Sequence, residues 1–189
     1  MSSAITVHAK RFGRKDHRIL PWRKANVRII YGDTLTAFTQ GLRRCKPDRI
    51  TIVSPWVSSS PDGALFEVIR YAREEDSQVT FITRPPQGAS DNRGIEGIRR
   101  LSSSIVILNS RLHAKIYICR KAGGDGFAVT GSANITDNSS RLIEVGVFLA
   151  PPRGSHLLSD LADRTLIELR GLPDSVVLKP YPSKNSRRN

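Results

Sequence analysis

Leu112-His113-Ala114-Lys115-Ile116-Tyr117-Ile118-Cys119, then Gly123-Gly124-Asp125-Gly126, Phe127-Ala128-Val129-Thr130 and Gly131-Ser132-Ala133-Asn134, is the stretch whose reading decides the fold. Leu112, Ala114, Ile116 and Ile118 alternate with His113, Lys115, Tyr117 and Cys119. A period of two predicts a strand over Leu112 to Cys119, with the aliphatic residues on a core face and His113 and Lys115 together on the other. The glycines at 123, 124 and 126 suit a hairpin turn, and Phe127 to Thr130 reads as the returning strand. That return would deliver Gly131-Ser132-Ala133-Asn134 beside the imidazole and the ammonium, where glycine permits close backbone approach and Ser and Asn offer hydrogen bonds.

Such a grouping suits a phosphate. A neutral imidazole attacks phosphorus, a charged one protonates a leaving oxygen, and Lys115 and Asn134 can hold the nonbridging oxygens without any metal. Glu144, an acid inside the apolar run Leu142-Ile143-Glu144-Val145-Gly146-Val147, is the candidate carboxylate for the far ring nitrogen of His113. A His and a Lys two apart on a strand are commonplace by themselves; the joint pattern with Gly131-Ser132-Ala133-Asn134 and Glu144 is what favours a phosphodiesterase-type site.

At these residues the chain resembles the phospholipase D superfamily, whose signature is H-x-K, a downstream Asp, then G-S-x-N, and a Glu on the next strand. The resemblance implies that His113 is the nucleophile or acid, that Lys115 and Asn134 bind phosphate, that Ser132 supports them, and that Glu144 orients the histidine. The family Asp falls five residues after the Lys, where this chain has Arg120; Asp125 takes its place only if the hairpin carries an insertion. Arg49-Ile50-Thr51-Ile52-Val53-Ser54-Pro55-Trp56-Val57 also looks like the family's early strand and its Ser-Pro-aromatic exit, and the resemblance covers residues 27 to 150. It implies an α/β fold: a mixed, mostly parallel central sheet with helices on both faces, and one motif per chain. The implied activity is a metal-independent nuclease hydrolysing DNA or RNA through a phosphohistidine, with no cofactor. Two histidines are wanted for the two steps and the chain has no internal repeat, so likeness to the single-motif members, which include small endonucleases and catalytic domains of some restriction enzymes, implies a homodimer sharing one site.

Length and composition agree with one α/β domain: 189 residues at 39% hydrophobic content build one core. We expect an arm at 1–26, the catalytic domain at 27–178 and a tail at 179–189. No apolar stretch reaches transmembrane length and the first residues lack a signal-peptide core, so a cytoplasmic protein without a membrane partner is expected. Cys45 and Cys119 form neither a disulfide framework nor a zinc site, which suits a reducing compartment.

The net charge of +13 sits at the ends. Residues 1–30 hold eight Lys and Arg against one Asp, and the residues from Lys179 onward hold four against none, so the remaining body is nearly balanced at +2. Lys10, Arg11, Arg14, Lys15, Arg23 and Lys24 are the candidate nucleic-acid contacts, with DNA preferred over RNA and binding that weakens with salt. Phosphate contacts read no sequence, which leaves room for a separate specificity or helicase subunit. Charged termini are also commonly mere solvated ends. Two other functions remain open: a nucleic-acid-binding module that has lost catalysis or needs a partner, and a phospholipid-directed phosphodiesterase, which the lack of an anchoring segment disfavours.

Strands are expected at 27–31, 49–53, 78–82, 105–108, 112–119, 127–130 and 142–149, with helices after Asp33, after Asp62, at 95–101 and at 156–169. His8, His17 and His156 have no ligand-spaced companions and are given no chemistry. Trp22 and Trp56 could stack on bases, but packing is the commoner use of a Trp at a strand exit, and Trp22 is the better candidate contact of the two. The loop Arg84-Pro85-Pro86-Gln87-Gly88-Ala89-Ser90 is either a plain connection or an edge of the site.

Overall fold

The computed structural model describes residues 6–11, 14–19, 26–32, 34–58, 60, 63–136 and 144–181. Among these, the strands are β1 (Thr6–Arg11), β2 (Arg14–Ile19), β3 (Asn26–Gly32), β4 (Arg49–Val53), β5 (Gln78–Thr83), β6 (Ser104–Leu108), β7 (Ile116–Arg120), β8 (Gly126–Gly131), β9 (Glu144–Ala150) and β10 (Val176–Leu178). The helices are α1 (Thr34–Cys45), α2 (Ala64–Glu74), α3 (Ala89–Arg99) and α4 (Leu157–Arg170). The expected caps Asp33 and Asp62, and Trp22, Arg23 and Lys24, lie outside the described residues. None of the described helices is long and apolar enough to cross a membrane.

β1 and β2 pair as a separate antiparallel hairpin. The other strands form one sheet in the order β10-β6-β5-β4-β7-β8-β9-β3. Only β4–β5 and β5–β6 are parallel pairs. The remaining neighbours run antiparallel, which corrects the expectation of a mostly parallel sheet. Parallel pairing needs a covering crossover, and α2 and α3 supply two of them; β7, β8 and β9 follow one another directly across the sheet, while β3 and β10 close its edges in the opposite sense.

Helices do cover both faces. On one face α1, α2 and α3 bury Phe38, Leu42, Leu65, Val68 and Ile98 against Ile50, Ile52, Phe81, Tyr117 and Val129. On the other, Leu158 and Ala162 of α4 cover Ile118, Ala128 and Leu149, and its Leu166 and Leu169 pack on Val53, Ile82 and Ile107. Tyr117, on the alternation's chemical face, is therefore fully buried, as is Cys119, on the helix-covered face with α1 and α2. Among the described residues nothing beyond α4 covers this second face, and Val27, Ile29 and Tyr31 of β3 and Val145 and Val147 of β9 are exposed.

The His-Lys segment is the main local surprise. β7 begins at Ile116, so Leu112 to Lys115 are not strand as the alternation predicted. β6 and β7 are separated in the sheet by β5 and β4. The chain must cross about 14 Å at roughly 4.8 Å per strand before it can pair. Residues 109–115 make that crossing over the C-terminal ends of β5 and β4.

Candidate active site

The crossing is anchored at both ends. Asn109 is buried, donates its backbone N–H to Thr83 O (2.8 Å), and accepts from Arg111 N–H through Oδ1 (2.9 Å), an Asx turn that redirects the chain. Leu112 then plugs into the core beneath α4. Arg84, which follows β5, donates Nε–H to Leu112 O (2.8 Å) while its guanidinium lies 5.1 Å from the centre of the Trp56 ring. Between these anchors and the start of β7, His113 and Ala114 are exposed and Lys115 is half-buried.

Lys115 Nζ donates to His113 O (3.1 Å), so the ammonium stands beside the histidine it was expected to accompany. Thr130 Oγ1 donates to Lys115 O (2.9 Å), tying the segment to the end of β8 just before Gly131. The sheet register brings the remaining groups to the same edge: Val53 lies opposite Ile116, Ile116 opposite Thr130, Gly131 opposite Gly146, and Gly32 opposite Glu144. This edge, at the C-terminal ends of the parallel strands, is where open α/β sheets present their ligands.

Gly131 and Gly146 make the approach between β8 and β9 possible. A Cβ on Gly131 would lie 2.3 Å from Val145 O, and one on Gly146 would lie 2.9 Å from a methyl of Thr34. With neither present, Ser132 crosses to β9: its N–H donates to Val145 O (3.1 Å), its Oγ accepts from Val145 N–H (3.2 Å), and its hydroxyl donates to the Glu144 carboxylate. Glu144 is buried, and this hydroxyl compensates part of the cost of removing a carboxylate from water.

The loop after Ser132 is held from below. Tyr117 OH donates to Ala133 O (2.7 Å); burial pushes this phenol well above its usual range, so it is a neutral donor. Ser54 is fully buried, donating to Trp56 O (2.7 Å) and accepting from Ile135 N–H (3.0 Å). Val57 and Ile135 bridge in parallel, so Asn134 sits half-buried between two fixed neighbours.

The structure thus brings Lys115 to His113 and to the end of β8, and Ser132 to Glu144. It does not join Glu144 to His113: among the described residues the His113 imidazole makes no hydrogen bond. Asp125 is at the other end of the sheet, its backbone oxygen accepting from Lys121 N–H (2.8 Å) and its carboxylate 3.4 Å from Arg153. Arg120 is there too, across about 15 Å of strand, so neither stands at the His113 edge. Ser54, Tyr117 and Arg84 were not singled out by residue in the sequence. Ser54-Pro55-Trp56 was visible as a strand exit and Arg84 as the start of a loop that edges the site; nothing in the local pattern marks Tyr117.

Residues 90–166 match the family model described as the NgoFVII restriction endonuclease N-terminal PLD domain. Among solved structures the chain is similar to Nuc, a phospholipase D family member from Salmonella typhimurium, at 13% identity and a TM-score of 0.62, covering 82% of this chain and 99% of that one. NucT from Helicobacter pylori gives 12% identity and a TM-score of 0.56, covering 77% and 98%. A phosphatidylserine synthase from Haemophilus influenzae Rd KW20 gives 14% and 0.59, covering 89% of this chain and 44% of that one. No curated protein sequence matches. Residues 90–166, which hold the motif, thus carry a likeness to a PLD domain, and the fold is similar to that of Nuc along nearly the whole of that chain.

Proposed function

We propose that this protein is a metal-independent phosphodiesterase that hydrolyses nucleic acid, DNA in preference to RNA, through a phosphohistidine formed on His113. The observation that carries the reading is the convergence of His113, Lys115, Ser132 and Glu144 on the one sheet edge where the parallel strands end. His113 is exposed to a ligand while its backbone is clamped on both sides, and positioning of that kind is what an attacking group requires.

In the first step a ring nitrogen of neutral His113 attacks phosphorus, forming a P–N bond as a P–O bond breaks, and the departing oxygen takes a proton from a second, protonated imidazole. Water then attacks the phosphohistidine, gives its proton to that second imidazole, and releases His113 with a phosphate monoester. Lys115 and Asn134 hold the nonbridging oxygens. Glu144, steadied by Ser132, is the carboxylate that would set the histidine tautomer once substrate closes the site.

The second imidazole is His113 of another copy. An apolar flank of the sheet, exposed among the described residues, suits this pairing: Val27, Ile29, Tyr31, Val145 and Val147 share one face and begin at the site edge, beside Gly32 and Glu144. An apolar patch of this kind on a sheet face is what the core of an interface between copies requires. A two-fold axis along the strands would keep both site edges at the same end.

The β1–β2 register sets Lys10 opposite Lys15 and Arg11 opposite Arg14, and a phosphate backbone is the partner that these bases suit. Phosphodiester hydrolysis at these residues would take place in the cytoplasm, where Cys45 and Cys119 stay as thiols. The fold is shared with a phosphatidylserine synthase, so anionic lipid is the second substrate class to test. Labelled DNA, RNA and phospholipid are incubated in excess EDTA with the intact chain and with His113→Ala. Nucleic-acid cleavage that survives EDTA and is lost in the variant supports the reading; binding without cleavage, or cleavage only of lipid, overturns it.

A further inference from the structure

At the end of the sheet opposite His113 lies a cleft of about 640 Å³ that the proposed reaction does not use. Its floor is one cross-strand row, Gln78 of β5, Arg49 of β4 and Arg120 of β7, whose directly opposed positions point to the α4 face. Its walls are the Lys121–Gly124 turn, Gly154, and His156 and Ser159 at the start of α4.

Two features of this row are unexplained by the fold. Arg49 and Arg120 are directly paired across antiparallel strands, and like charges in that relation repel. Arg120 is also largely out of water, with its side chain 13% exposed, yet among the described residues its Nε–H has no partner and its sole ion pair is a 3.5 Å contact with Asp163. A guanidinium withdrawn from solvent normally finds a full set of acceptors. Two acids border the cleft, but Asp48 already accepts Ala122 N–H (2.5 Å) and Asp76 stands on the exposed rim. Arg49 and Lys121 form no ion pair among the described residues.

We propose that this cleft is a second anion site, built for a phosphate-bearing ligand of nucleotide size. The Arg49–Arg120 pair supplies two planar donor forks for phosphate oxygens, and an anion between them removes their repulsion. Lys121 and Ser159 add donors from the rim. The volume fits one nucleotide rather than a bare ion. Nothing in this assignment depends on catalysis at His113, which lies about 15 Å or more away at the other end of the strands. The phosphate would come from a free nucleotide or from a non-reacting position of a bound strand.

Inorganic pyrophosphate is titrated into the full chain carrying His113→Ala, followed by amide NMR, and an oligodeoxynucleotide is titrated in parallel. The expected result is saturable shifts at Lys121, Gly123, Gly124 and Ser159 that require about tenfold more pyrophosphate in Arg120→Gln and in Arg49→Gln. Arg49 is exposed, so its variant keeps the test valid if Arg120→Gln fails to fold. Oligonucleotide shifts at the same amides would assign the site to a strand phosphate, and pyrophosphate shifts alone would assign it to a free one. Shifts confined to the His113–Lys115 edge, or undiminished in both variants, would overturn the proposal.

Discussion

Replacing Gly131 by Ala tests whether the glycine of the G-S-x-N run is there for the spacing of β8 and β9. The added Cβ would meet Val145 O at 2.3 Å and Gly146 Cα at 2.7 Å, both of them backbone atoms that cannot rotate away. Restoring ordinary contact moves the strands apart by about 1 Å, an overpacking cost of ~1–3 kcal/mol. The bonds from Ser132 N–H to Val145 O and from Val145 N–H to Ser132 Oγ lie at that point, and weakening them adds about 1 kcal/mol. A loss of about 2–4 kcal/mol corresponds to a fall in Tm of roughly 5–15 °C for a chain of this size. Urea denaturation followed by circular dichroism measures it, with Gly88→Ala as control, since a Cβ there meets nothing within 4 Å. Gly131→Ala matching the parent within about 0.5 kcal/mol, the range of ordinary surface substitutions, would refute the close-approach account.

Further outcomes follow from the supports of the site and from buried phenols and thiols elsewhere in the fold. Tyr117→Phe leaves Ala133 O without its buried donor and should cost about 1–2 kcal/mol by urea denaturation, while Ser54→Ala, which loses both the Trp56 O and the Ile135 N–H bonds, should cost about 2–3 kcal/mol. Arg84→Ala removes the tether on Leu112 O and the contact with Trp56, so kcat on DNA should fall about tenfold or more with little change in Tm; a kcat within twofold of the parent would exclude Arg84 as a positioning residue. Burial raises the Tyr71 phenol from 10.0 to about 12 and lifts the Cys45 and Cys119 thiols above 9.0. These groups stay protonated in the folded chain where the unfolded chain has ionised, so stability is complete below about pH 9 and is lost as pH rises toward 12; Tyr71→Phe should flatten the decline above pH 10, read from Tm against pH.

The β7–β8 turn and the order of the strands around the candidate site were legible in the sequence because these features are local. Gly123 and Gly124 do adopt positive φ (89° and 85°) in the β7–β8 turn, whereas Glu144, expected to orient His113, accepts instead from the Ser132 hydroxyl. The alternation that ran from Leu112 to Cys119 misled, since a period of two says nothing about whether a neighbour exists to pair with, and β4 and β8 give none before Ile116. The sheet direction was hidden for the same reason: it follows from which strands are joined by covering helices, a tertiary fact. β10, three residues long and paired to β6, carries too short a pattern to predict. Tyr117 read as one more residue of a strand, and only its reach to Ala133 O shows what it holds.

The central claim is a phosphohistidine on His113 formed without metal. Radiolabelled single-stranded DNA is mixed with the intact chain in excess EDTA, quenched by denaturant within the first turnovers, and the protein is resolved and digested. The account predicts label attached to the peptide containing His113, stable to alkali, discharged by acid, and absent from His113→Ala. Cleavage that proceeds with no protein-bound label, and continues in His113→Ala, would contradict it.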